Sequence, residues 1–83
     1  PDDPFILDSL GWVRFRRGDG PAALTHLERA YAKRQDAEIA AHLGEVLWSL
    51  SRRDDARRIF DQALAAHPDN TLLVETARRL GIR

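Results

Sequence analysis

Cysteine is absent from the 83 residues, which excludes disulfides, thiolate metal sites and thiol nucleophiles. Methionine is absent too, and only five glycines and four prolines interrupt the chain. Neither charge sign prevails: thirteen basic residues are matched by thirteen acidic ones, for a net charge of zero. A nucleic-acid-binding domain ordinarily carries a basic excess with which to displace counterions, so this balance argues against nucleic acid as a partner. Long apolar runs are missing as well. Nothing approaches the ~20 residues of a membrane span, and no secretory signal is visible.

What is present is a soluble globular composition, 43% hydrophobic and 31% charged. Ample apolar content at zero net charge argues against disorder. A chain of this length fits one small folded unit, burying about 60–65% of its unfolded surface. Arginine outnumbers lysine twelve to one, which points to a GC-rich bacterial source. The opening Pro1-Asp2-Asp3-Pro4, without an initiating methionine, reads as a piece of a longer protein whose targeting information would lie upstream.

The chain repeats itself. A shift of 33 residues aligns Ile6 with Ile39, Leu10 with Leu43, Gly11 with Gly44 and Val13 with Val46. It also aligns Ala23 with Ala56, Ala30 with Ala63, Ala32 with Ala65 and Asp36 with Asp69. Phe15/Trp48, Leu27/Phe60, Tyr31/Leu64 and Glu28/Asp61 are similar pairs between them. Self-similarity at this period marks a duplicated structural unit.

Each unit reads as two helices. Asp3 followed by Pro4 is an N-cap with proline in the first turn, and Leu7, Leu10, Gly11 and Val13 recur at helical spacing. Gly18 and Gly20 stop that helix. Pro21 starts a second, striped with Ala23, Leu24, Leu27, Ala30 and Tyr31. Asp36 caps a third, which carries Ile39, Ala40, Leu43, Val46 and Leu47. After a turn at Ser51-Arg52-Arg53, a fourth carries Ala56, Ile59, Phe60, Ala63 and Leu64. His67-Pro68-Asp69-Asn70 ends it and caps a fifth, with Leu72, Leu73, Ala77 and Leu80, stopped by Gly81. No stretch alternates with the period of two that a strand needs. The expected fold is all-α, five helices in antiparallel neighbours.

Leu10-Gly11, Ala23, Leu27 and Ala30 in the first unit, and Leu43-Gly44, Ala56, Phe60, Ala63 and Pro68 in the second, resemble the tetratricopeptide repeat. The resemblance covers roughly residues 4 to 80. It implies a right-handed helix-turn-helix solenoid with units at 4–36 and 37–69 and a capping helix at 70–83. Gly11 and Gly44 would let paired helices approach, faced by Ala23 and Ala56, with Ala30 and Ala63 at the junction between units and Leu27 and Phe60 filling the remaining gap. The first unit departs from the pattern: it is one residue short, Gln35 stands where proline is usual, and Arg14 replaces the large apolar residue that Leu47 supplies in the second. The run Ile6 to Phe15 and the ending Arg79 to Arg83 are similar to the C-terminal repeats of bacterial envelope proteins of this family. That implies an outer-membrane lipoprotein or periplasmic setting, with the cytoplasm as alternative.

The resemblance also implies a concave groove lined by the first helices. Its positions fall on Asp8, Trp12, Phe15 and Arg16, then Ala41, Glu45, Trp48 and Ser49. Asp8, Trp12 and Phe15 share one helix face at i, i+4, i+7, and tryptophan and arginine are enriched in binding hot spots. The expected function is a protein-interaction scaffold or adaptor, not an enzyme, binding a partner peptide or protein segment there. The alternative is homo-oligomerisation through the same aromatics, and Trp12 and Phe15 could instead cover the core or an upstream repeat. Where relatives clamp a C-terminal carboxylate with lysine and asparagine, this chain has Asp8 and Trp12, which disfavours that ligand.

Other chemistry finds little support. His26, His42 and His67 show no metal-binding spacing with each other or with Asp and Glu. Ser9, Ser49 and Ser51 lack a nucleophile elbow, and no phosphate loop or cofactor motif is present. Arg17-Gly18-Asp19 matches an adhesion tripeptide but sits in a helix-helix turn. Arg14, Arg16 and Arg17, and Arg52, Arg53, Arg57 and Arg58, are read as solvated helix ends and outer faces, since cations suit helix C-termini.

Overall fold

A computed structural model describes residues 3–82; Pro1, Asp2 and Arg83, used above in reading the two ends, lie outside the described residues. The helices are α1 (Pro4–Arg16), α2 (Gly20–Lys33), α3 (Ala37–Ser49), α4 (Arg53–Ala66) and α5 (Thr71–Leu80). Four of them begin on a side chain that accepts a bond from an otherwise orphaned amide of the first turn. Asp3 takes the amide of Phe5, Asp19 that of Ala22, Asp36 those of Glu38 and Ile39, and Asn70 that of Leu73. The fifth, α4, starts at Arg52 with no side-chain cap. Among the described residues there is no strand, and no helix is long and apolar enough to cross a membrane.

The turns differ in one detail from the sequence expectation. Gly18 alone follows α1 in the left-handed region, at φ +88°. Gly20 is already the first residue of α2, and its role is space: a Cβ there would sit 2.8 Å from Leu50 Cδ2. One repeat later Ser51 takes the place of Gly18 and adopts φ +64°, a conformation that costs a side-chain-bearing residue energy.

Within each unit the paired helices close over their glycine. A Cβ on Gly11 would meet Leu27 Cγ at 2.8 Å and the Ala23 carbonyl at 3.2 Å. A Cβ on Gly44 would run into the Phe60 ring. Thus Leu27 and Phe60, not the alanines, fill the notches directly, and both are fully buried. Burying a side chain of that size contributes ~1.5–3 kcal/mol. Units join through α2 packed on α3, with α5 against α3 and α4. Tyr31 on α2 is buried and donates to Gln62 Oε1 on α4 at 3.1 Å; burial pushes its phenol above the usual tyrosine range.

The core holds all five apolar stripe residues of α3: Ile39, Ala40, Leu43, Val46 and Leu47. In α1 it holds only Leu7, with Gly11 buried beside it. Leu10, which helical spacing puts on one stripe with Leu7 and Gly11, is exposed, as is Val13, because no helix lies on that side of α1. Leu72 on α5 is exposed for the same kind of reason, while Leu73 and Ala77 face inward.

Candidate functional site: the aromatic face of the first helices

The two first helices, α1 and α3, present aromatics at repeat-related positions. Trp12 and Phe15 are both half-buried, with ring centroids 5.2 Å apart and planes tilted by 37°. Trp12 also stacks on His42 of α3, at 4.1 Å and 19°, so its indole bridges the two units. Trp48, half-buried as well, is flanked by the start of α4. The Arg53 guanidinium lies 4.4 Å over its ring and that of Arg57 5.4 Å, within reach of a cation–π attraction.

The acids of this face are satisfied within the fold. Asp8 is 3% exposed, and its carboxylate accepts from His42 Nδ1 at 2.8 Å. A buried carboxylate without such a donor would be costly. Glu45 accepts two bonds from Arg79 of α5, at 2.6 and 3.2 Å, the forked geometry that arginine offers a carboxylate. The pair holds the exposed Arg79 guanidinium above its ordinary pKa, chiefly through the hydrogen bond and secondarily through the charge of Glu45.

The expected groove residues therefore divide. Trp12, Phe15, Arg16, Glu45, Trp48 and Ser49 keep solvent-accessible surface. Asp8 and Ala41 do not: α3 lies close enough to α1 that Asp8 is sealed under His42, and Ala41, on a helix packed by four others, is 1% exposed. Buried in this way, these two offer a ligand no contact.

His42, Glu38, Arg53 and Arg79 complete the face and were not among the groove positions read from sequence. A signal for two of them exists. Asp8–His42 and Glu45–Arg79 are each separated by 34 residues, an acid answered by a base one repeat on. The histidine spacing also needs correcting. Glu38 and His42 stand i, i+4 on α3, and with Asp8 of α1 they bring one ligand atom each within 4.8 Å of one another. Their donor atoms could meet on a cation, but the Asp8–His42 bond already accounts for the grouping as a contact between helices. The second arginine cluster is exposed, as expected of a solvated helix end and outer face, but not at a helix C-terminus. It opens α4, where the helix dipole disfavours cations, and is offset there by Asp54 and Asp55, which pair with Arg57 and with Arg52 and Arg58.

These features can be set beside known proteins. The TPR repeat-containing protein PA4667 of Pseudomonas aeruginosa is 51% identical over 45 residues, which are 54% of this chain and 8% of that protein. The chain thus spans only a small part of this relative's length. A family model described as tetratricopeptide repeat matches residues 14–79, from the last turn of α1 into α5. On that match, and on the all-helical repeat fold, the chain belongs to the tetratricopeptide repeat family.

Proposed function

We propose that this chain is a protein-interaction scaffold that docks a partner segment against Trp12, Phe15 and Trp48. Tetratricopeptide repeats generally mediate protein–protein interaction. The observation that carries the finer reading is the partial exposure of these three rings on the first helices of both units. Rigid aromatics half-sunk in a fold bury further area on binding at little entropic cost. Around them Arg16, Glu45 and Ser49 supply polar groups that can orient a peptide backbone.

The test uses peptides selected for binding from a random display library, titrated against the chain and its Trp12→Ala and Trp48→Ala variants. The reading expects affinity to fall about tenfold or more in at least one variant, with the helical circular dichroism retained. Undiminished binding, or global unfolding of both variants, would remove it. Sedimentation at several concentrations separates out self-association through the same rings, which would appear as a dimer lost in Trp12→Ala.

A further inference from the structure

Asp8 of α1 and Glu38 and His42 of α3 meet where the two repeat units join. One ligand atom from each lies within 4.8 Å of the others. Glu38 and His42 stand one turn apart on α3, so their side chains share a face. Asp8 reaches them from across the junction, with its carboxylate 2.8 Å from His42 Nδ1.

The Asp8–His42 bond explains why two of the three lie together. It does not explain the third. An acid in the first turn of α3 suits the helix dipole, but the dipole does not call for a second carboxylate beside Asp8. The Glu38 amide donates to Asp36, yet among the described residues no hydrogen bond or ion pair reaches the Glu38 carboxylate. Two carboxylates this close disfavour each other's charge unless a positive charge lies between them.

We propose that Asp8, Glu38 and His42 form a binding site for a divalent transition-metal cation of the zinc class, which clamps the first unit to the second. Two carboxylates and a neutral imidazole balance the charge of such an ion. One nitrogen and two oxygens suit zinc and its neighbours, whereas magnesium and calcium favour oxygen alone. Zinc holds nitrogen and oxygen ligands at ~2.0–2.2 Å, which sets those ligands ~3–3.5 Å apart. The cation takes the place of the proton between Asp8 and His42, which part slightly to admit it. Glu38, the exposed member, swings in to complete the set. The other two ligands are already held. Trp12 stacks on the His42 ring at 4.1 Å, and Asp8 is buried. Three protein ligands leave a further position for water, as in an open zinc site. The chain contains no cysteine, so no thiolate of its own competes for the ion.

The test is a calorimetric titration of the 83-residue protein with Zn2+, after treatment with a chelator and without a polyhistidine tag. Nitrogen NMR of the imidazoles identifies the histidine that responds. The expected result is one ion bound per chain, a higher melting temperature and a resonance shift at His42. Glu38→Gln removes one ligand while leaving the Asp8–His42 bond in place, and should weaken zinc binding by about tenfold or more. Glu75→Gln on α5 should leave binding unchanged, and Mg2+ at the same concentration should not compete. No zinc uptake, uptake that Glu38→Gln leaves undiminished, or a shift at His26 or His67 in place of His42 would overturn the proposal.

Discussion

Helices α1 and α3 carry the same ladder of isoleucine, leucine and valine, yet the ladder is half in solvent in one and sealed in the other. The turns reverse the imbalance. The first unit turns through Gly18 and caps α2 with Asp19, whereas the second forces Ser51 into the left-handed region and starts α4 without a side-chain cap. Each unit is thus the better built in one respect. The lesson is that burial in a repeat belongs to position in the stack, while turn strain belongs to the residue itself. Substitution at paired positions separates the two.

The largest contrast should lie in the ladder. Truncating Leu43, 3% exposed, removes packing on several sides and leaves a cavity, so Leu43→Ala is expected to cost ~2–5 kcal/mol. Leu10→Ala, at a position 48% exposed, should cost under ~1 kcal/mol. Denaturant unfolding of both variants measures the gap. Equal losses would mean that α1 is already covered in solution.

A smaller contrast concerns the two acid–base links between units. His42→Ala would strand the Asp8 carboxylate, which is 4% exposed, and should cost ~1–3 kcal/mol, the penalty of a buried acceptor left without its donor. Arg79→Ala breaks the Glu45 link, whose arginine side chain is 59% exposed, and solvent screening keeps that loss under ~1 kcal/mol. Added salt should weaken the second link and leave the first nearly unchanged. The same loss in both variants would show that spacing matters in these links and burial does not.

These two links also mark the limit of what the sequence discloses. Helix starts were legible because Asp3, Asp36 and Asn70 are capping residues placed just ahead of apolar stripes, and the pairing was legible because glycine recurs opposite a bulky residue. The exposure of Leu10 and Val13 was not, since an apolar residue at helical spacing is written identically whether or not a neighbour covers it. Asp8 was read as a groove contact because its helix face was right. What buried it was the closeness of α3, which brings His42 over it, and no periodicity within α1 encodes that distance. Trp48 kept its place on the face, but the stacking of Arg53 and Arg57 depends on where α4 begins.

The smallest contrast is also the cleanest, because it touches no side-chain packing. Gly18 and Ser51 occupy equivalent positions one repeat apart, at φ +88° and +64°, and a Cβ at Gly18 would meet nothing within 4 Å. Space therefore plays no part, and only the intrinsic cost of the left-handed region for a residue with a Cβ distinguishes them. Ser51→Gly should stabilise the chain by ~0.5–1 kcal/mol, and Gly18→Ser should destabilise it by a similar amount. The double exchange tests whether the turns act independently, since Gly20 beside the first lies against Leu50 beside the second; a net effect near zero marks them as additive. Thermal unfolding of the three variants checks this. A gain from Ser51→Gly without the matching loss from Gly18→Ser would show that the first turn holds its conformation by something other than its glycine, for which the Asp19 side chain capping the Ala22 amide, a bond without a counterpart at the start of α4, is the leading candidate.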